Sequence, residues 1–156
     1  MSEVDATNIE IRGVLLPLHD AQLLLPNASV SEVVGLEKLK ALSDVPEWFL
    51  GTQEWRGQMI PVISFEQLLG LPAAELGVRS RVAVCNTLGG NKDCPFIGLL
   101  LSSTPRLIRI TEDVVAPQSD EQDLGDAVKR QVTVNGENAW IPDMQAVEWV
   151  VQEAVS

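Results

Sequence analysis

The side chains best suited to acid–base or metal chemistry are few and widely separated in this sequence. His19 is the only histidine, and it lies beside Asp20 at a break between two apolar segments. A zinc site or a Ser-His-Asp triad needs further ligands or a nucleophile at characteristic spacing, and no such motif accompanies His19. We therefore interpret His19 as a solvated turn residue and predict no metal site.

Carboxylates cluster in the second half of the chain, at Glu112-Asp113, Asp120-Glu121 and Asp123. Paired carboxylates can perform acid–base catalysis when burial drives their pKa values apart. These residues lie in polar sequence that is typical of turns and linkers, so we interpret them as solvated charges. The sequence also contains no glycine-rich phosphate-binding motif and no nucleophile elbow. We predict that the protein is not an enzyme and needs no cofactor.

Arg56 is a lone cation within an apolar stretch that runs from residue 49 to residue 63. The Arg56-Gly57 pair predicts a hairpin turn in which Gly57 supplies a positive φ. A guanidinium presented at such a turn has five donors for carboxylates or backbone carbonyls. Two interpretations stay open and can hold together: Arg56 is a structural residue of the hairpin, or it recognises a partner.

The charge balance argues against several classes of partner. The 156-residue chain has a formal net charge of −11, whereas nucleic acids and anionic membrane surfaces are bound by clustered lysine and arginine. No stretch of about 18 apolar residues is present, and the polar first residues do not resemble a signal peptide. We expect a cytoplasmic protein that binds no nucleic acid and does not insert into a membrane. In that compartment Cys85 and Cys94 are expected to be free thiols.

Short apolar segments separated by turn signals predict a β-rich domain of the sandwich or barrel type. Residues 1–7 are predicted to form a disordered tail. Asn135-Gly136 predicts a second tight hairpin besides the one at Arg56-Gly57. The segments predicted to contain strands are residues 9–18, 23–26, 46–53, 59–63, 79–86, 95–101, 107–110, 132–134 and 139–141.

Helix N-cap signals occur three times. Ser29 with Glu32 and Ser64 with Gln67 have the spacing of a capping box, and Asp143 precedes apolar residues at helical intervals. We predict a short helical turn within residues 29–35 and helices at residues 64–70 and 143–152.

The second half of the sequence repeats the order of the first. Each half ends with a predicted hairpin, an Ile-Pro pair and a short capped helix, the pairs being Ile60-Pro61 and Ile141-Pro142. This duplication predicts two similar β-subdomains with a crevice between them. Such a crevice is a common position for a binding site.

Three stretches of the sequence resemble the CheW-like domain family. Residues 49–63, with Trp55-Arg56-Gly57 at their centre, are similar to the family's Leu-Arg-Gly, apolar residue, Pro-Val-Ile-Asp-Leu pattern, and the short helix follows in residues 64–72. Residues 29–34 resemble the family's Val-x-Glu-Ile turn, and residues 96–117 resemble its apolar strand, loop and Thr-initiated turn.

The resemblance implies an all-β fold of two intertwined SH3-like five-stranded β-barrels with a few short helices. It places a single domain at residues 8–152, with subdomains at about residues 17–78 and 79–142 whose ends are exchanged.

The resemblance also implies a non-enzymatic signal-transduction adaptor. Such an adaptor couples the cytoplasmic tip of a chemoreceptor to a CheA-type histidine kinase, in chemotaxis or in a pili chemosensory pathway. By resemblance, Val30, Glu32, Arg56 and Gly57 map onto the receptor-facing region of the first barrel. A ligand-sensing module, or a small enzyme that uses carboxylates of the crevice, is the alternative function.

The sequence differs from the family pattern near this expected partner surface. Glu54-Trp55 replaces an Asn-Leu pair, and Ser102-Ser103 replaces an Asp-Gly pair. One interpretation of these differences is a divergent adaptor in an alternative chemosensory system, such as one that controls type IV pili.

Overall fold

The computed structural model describes residues 11–72, 75–88, 94–111, 113–118 and 121–155. The described chain is predominantly β and forms two sheets, which confirms the all-β fold of two SH3-like barrels with a few short helices. The predicted tail at residues 1–7 lies outside the described residues. The strands are β1 Ile11–Pro17, β2 Gln22–Pro26, β3 Val30–Gly35, β4 Phe49–Trp55, β5 Gln58–Ile63, β6 Arg81–Asn86, β7 Phe96–Leu101, β8 Arg106–Ile110, β9 Val115–Pro117, β10 Val128–Val134 and β11 Glu137–Pro142, and the α-helices are α1 Phe65–Leu68 and α2 Met144–Val155.

One sheet has five strands in the order β3-β6-β7-β5-β4. Its two outer strands, β3 and β4, are connected by the side chain of Gln53, which is buried. The Gln53 Nε2 donates to the Gly35 carbonyl at 3.1 Å, and the Gln53 Oε1 accepts from the Glu37 N–H at 3.0 Å. The edges of the sheet therefore meet, and the sheet closes into a barrel around a buried amide whose donor and acceptor are both satisfied.

The other sheet has six strands in the order β8-β1-β2-β11-β10-β9. Strand β2 pairs in parallel with β11 through Leu23 and Trp140, so strands from early and late parts of the described chain lie in one sheet. The short strand β9, which pairs with β10, adds a sixth strand to the five that were predicted.

The two sheets divide the described strands between residues 26 and 30 and again between residues 101 and 106. Strands between residues 30 and 101 form the five-stranded sheet, whereas strands between residues 11 and 26 and between 106 and 142 form the six-stranded one. Strands β6 and β7 pair with β3 and β5, although they follow the expected boundary near residue 78. The subdomain boundaries stay a prediction, and sheet pairing does not change at that point.

Alternation along the strands distributes the apolar side chains among three clusters. Leu15 packs inside the six-stranded sheet, whereas its neighbour Leu16 points to the opposite face and into a central cluster. That central cluster also receives residues of the five-stranded barrel and of helix α2. A packed core therefore fills much of the region between the two sheets, where a crevice was predicted, and recesses remain at its margin. The fully buried members of this core include Leu16, Leu23, Ile63, Phe65, Ala83, Cys85, Ile97, Leu99, Leu101, Val147 and Val151.

The helical turn predicted within residues 29–35 is wrong. Only residues Asn27–Ser29 form a short 3-10 turn, and strand β3 follows it and pairs antiparallel with β6. The β-branched side chains of Val30, Val33 and Val34 favour an extended chain. Pairing with β6 therefore prevails over the local capping-box signal.

The two other N-cap predictions are confirmed. Ser64 Oγ accepts from the Gln67 N–H at 3.3 Å at the start of α1. Asp143 Oδ1 accepts from the N–H groups of Gln145 and Ala146, at 3.1 and 3.2 Å, at the start of α2.

Each helix follows a hairpin, as the duplicated sequence order predicted. In the β4–β5 hairpin, Arg56 and Gly57 have φ values of 48° and 79°. In the β10–β11 hairpin, Asn135 and Gly136 have φ values of 51° and 83°. Two successive positive φ values are typical of a type I′ turn, which matches the twist of antiparallel strands.

Candidate functional site

Glu32, Trp55 and Arg56 form a connected group, here called the Trp55 cluster, between strand β3 and the β4–β5 hairpin. The Trp55 Nε1–H donates to Glu32 Oε1 at 2.9 Å, and Arg56 Nη2 lies 3.4 Å from the same oxygen. The guanidinium carbon of Arg56 is 4.7 Å from the centroid of the Trp55 ring. A single carboxylate oxygen therefore connects the two edge strands of the barrel.

Trp55 anchors this cluster in the core of the five-stranded barrel. Its side chain is buried and packs edge-on against Phe96, with 4.7 Å between ring centroids. A buried indole N–H normally requires an acceptor, and Glu32 supplies it. The packing of Trp55 therefore also fixes the position of the Glu32 carboxylate.

Arg56, in contrast, is presented to solvent, and its side chain is 66% exposed. It occupies a position with φ of 48°, where a type I′ turn prefers asparagine, aspartate or glycine. A left-handed conformation at another residue costs on the order of 1 kcal/mol. The turn alone therefore does not account for an arginine at position 56. The unfavourable φ value of Arg56 points to a role for its side chain.

The charges of the Trp55 cluster contribute little to folding. An ion pair between exposed side chains is worth about 0–1 kcal/mol, and Glu32 is itself 43% exposed. The guanidinium can therefore exchange Glu32 for a carboxylate of another molecule at small cost. Exposed Met59 lies opposite Glu54 on the same hairpin, so an apolar side chain accompanies the charges. Arginine and methionine are both enriched in protein–protein interfaces.

The two remaining predicted site residues have different surroundings. Gly57 completes the turn beside Arg56, and a Cβ added there would meet nothing within 4 Å. Val30 lies two residues before Glu32 on β3, but it is half-buried against the central core. The structure therefore groups Glu32, Arg56 and Gly57, whereas Val30 packs mainly inward.

Sequence reasoning missed the role of Trp55, which it treated as a departure from a family pattern. The alternation of side chains along β4 could have indicated that Trp55 is buried, because Gln53 and Trp55 share the buried face of the strand and Glu54 between them is exposed. It also missed Glu66, which is buried although it is charged.

Among the described residues, those considered for catalysis do not assemble into a site. The His19 ring is 3.5 Å from Asp20, and the His19 side chain is about half exposed whereas that of Asp20 is largely exposed. Asp113 and Glu121 are exposed, and Asp123 accepts from the Gly125 N–H; Glu112 and Asp120 lie outside the described residues. Within the described part of the chain, no group of three His, Cys, Asp or Glu side chains could hold a metal ion.

Cys85 and Cys94 are free thiols in the structure. Burial raises the pKa of Cys85 to about 12, and burial followed by the charge of Glu148 raises the pKa of Cys94. Because the thiolate is the reactive form, iodoacetamide at neutral pH should modify half-buried Cys94 slowly and Cys85 not at all. Peptide mass spectrometry checks this, with the unfolded protein, in which both thiols should react, as the control. Equal native labelling of the two, or a disulfide between them, would contradict the structure.

Comparisons with known proteins bear on the fold and the family of this chain. Within the described residues, no helix is both long and apolar enough to span a bilayer. A search of curated proteins found no match. Among solved structures, the scaffolding protein TtCheW from Thermoanaerobacter tengcongensis has a similar fold, with a TM-score of 0.73 and 21% sequence identity over 87% of this chain and 86% of that one. The model of the CheW-like domain matches residues 12–149. Since this match spans most of the sequence, the chain belongs to the CheW-like domain family.

Proposed function

We propose that this protein is a non-enzymatic cytoplasmic adaptor that couples the cytoplasmic tip of a chemoreceptor to a CheA-type histidine kinase. Family membership supports a chemotaxis adaptor role, and the similar fold belongs to a protein described as a scaffold. The observation that carries the proposal is the Trp55 cluster, because it presents the exposed Arg56 guanidinium at a strained turn although the Arg56–Glu32 ion pair contributes little to folding.

The receptor-facing surface, in this proposal, is centred on Glu32, Arg56 and Gly57, with Val30 at its inner margin. An arginine fork pairs bidentately with a carboxylate, so the receptor segment should present an aspartate or a glutamate to Arg56. Met59 and the stem of Arg56 would cover apolar atoms beside it. The kinase would bind elsewhere on the domain, so that both partners are held together.

Isothermal titration calorimetry of the purified protein tests the proposal. We expect separate saturable binding to a cognate CheA-type kinase and to a receptor cytoplasmic fragment, each through an interface of at most about 1,600 Å². Binding of one partner should leave a site for the other, since the adaptor must hold both. The proposal is contradicted if no CheA-type kinase encoded in the same genome produces heat of binding.

A further inference from the structure

A small cavity opens at the margin of the central core, apart from the Trp55 cluster and sharing no residue with it. Its volume is about 130 Å³, and we call it the Glu66 cavity. The β1–β2 turn, helix α1 and strand β11 each contribute to its wall. Its lining residues are Asp20, Ala21, Glu66, Leu71, Pro72 and Trp140.

Glu66 is the least exposed charged residue of this wall, with only 4% of its surface accessible. Its Oε2 accepts from the backbone N–H of His19 at 2.9 Å. For the other oxygen, Oε1, the described residues provide no hydrogen bond, although Glu66 faces the cavity. Burying a carboxylate costs free energy unless the charge is paired. Oε1 is not among the described buried atoms that lack a partner, so it reaches solvent in the cavity, which therefore presents an accessible carboxylate oxygen of Glu66.

The rest of the wall would suit a cation attached to an aliphatic chain. Asp20 adds a second carboxylate at the rim, where its side chain is 88% exposed. Trp140 contributes an aromatic ring, and Leu71 and Pro72 contribute apolar surface. Aromatic faces attract ammonium and guanidinium groups. No lysine or arginine lines the cavity, so the described wall contains no cation that fills it.

We propose that the Glu66 cavity binds the ammonium group of a lysine side chain presented by a partner protein. The ammonium has three donors, which can reach Glu66 and Asp20, while the lysine methylenes contact Leu71 and Pro72. A space of about 130 Å³ holds several water molecules, which suits one slender side chain. A free amino acid fits less well, because its own carboxylate would be repelled by Glu66 and Asp20. This contact gives the acidic protein a second point of protein recognition.

NMR titration with Nα-acetyl-lysine N-methylamide, which carries the lysine side chain on a neutral backbone, tests this inference. At constant ionic strength we expect saturable shifts of the Trp140 indole and His19 amide signals. The corresponding norleucine compound, which lacks the ammonium, should produce no saturable shift. Free lysine should bind more weakly; if it binds more tightly than the peptide-like probe, a partner-borne side chain is the wrong ligand.

The substitution Glu66→Gln isolates the charge, because the glutamine oxygen can still accept from the His19 N–H. We expect it to weaken binding of the lysine probe at least tenfold, and Asp20→Asn, at an exposed position, to weaken it about two- to threefold. Glu54→Gln, on the β4–β5 hairpin, is the matched control and should leave the affinity for the lysine probe unchanged. An unchanged affinity in both cavity variants would overturn the proposal, and Asp20→Asn keeps the test valid if Glu66→Gln does not fold.

The pH dependence gives an independent readout. Desolvation raises the pKa of Glu66, against the smaller lowering effects of the His19 N–H and the His19 charge, while Asp20 adds to the increase. Because the ammonium needs the ionised carboxylate, affinity should fall as the pH is lowered through that raised pKa. In Glu66→Gln this part of the pH dependence should disappear, and only the contributions of His19 and Asp20 should remain. An identical pH profile in the two proteins would contradict a role for the Glu66 charge.

Discussion

Replacing Arg56 by asparagine should weaken binding of the receptor fragment ten- to a hundredfold and leave the free energy of unfolding unchanged or slightly higher. Hydrogen bonds to charged groups contribute about 1.5–3 kcal/mol, and each 1.4 kcal/mol corresponds to roughly a tenfold change in affinity. Asparagine tolerates the φ of 48° that Arg56 adopts better than other side chains do. In this variant the receptor affinity should therefore fall while the free energy of unfolding stays the same or rises.

Calorimetry and urea denaturation on the same variant make this comparison. Arg56→Lys is the matched control: it keeps the positive charge but loses the bidentate fork, so its binding should lie between the wild-type and asparagine values. Kinase binding should be the same in all three proteins. If the unfolding midpoint falls and the affinity of the folded fraction is unchanged, Arg56 is a structural residue and has no part in recognition.

Replacing Trp55 by alanine should lower the free energy of unfolding by about 3–5 kcal/mol, as large-to-small substitutions of buried aromatic residues do. The side chain is 6% exposed and packs against Phe96. Its loss would also remove the donor that holds Glu32 and the ring beneath Arg56. Receptor affinity should therefore fall even under conditions where the variant is fully folded.

Two further substitutions separate these effects. Trp55→Phe keeps an aromatic ring against Phe96 but has no N–H for Glu32, so stability should decrease less while Glu32 is released. Trp149→Ala is the control, because Trp149 is 63% exposed on helix α2 and its loss should change stability by less than about 0.5 kcal/mol. Equal destabilisation by Trp55→Ala and Trp149→Ala would contradict the packing of Trp55 in the core of the five-stranded barrel.

Local signals predicted the hairpins and two of the helices correctly. Asn135-Gly136 in one turn and Gly57 in the other are residues that readily adopt the positive φ values observed there. Ser64 and Asp143 likewise form hydrogen bonds within their own first helical turn. Such features depend on a few consecutive residues, so one sequence is enough to predict them.

The failure at residues 29–35 has the opposite cause. Ser29 and Glu32 have capping-box spacing, but β6 lies about fifty residues further along the chain and offers a complete strand partner. Glu32 then accepts from Trp55, 23 residues away, instead of from its own backbone. The buried Glu66 was missed for a similar reason, because its burial depends on the β1–β2 turn. Contacts between distant residues cannot be inferred from local spacing.

The adaptor role is tested most directly by sedimenting receptor-containing membranes with the CheA-type kinase, in the presence and absence of this protein. We predict that the kinase sediments with the membranes only when the wild-type protein is present, and that Arg56→Asn, although folded and still bound to the kinase, recovers little of it. Kinase that sediments equally without the protein, or that is recruited as well by Arg56→Asn as by the wild type, would contradict the account.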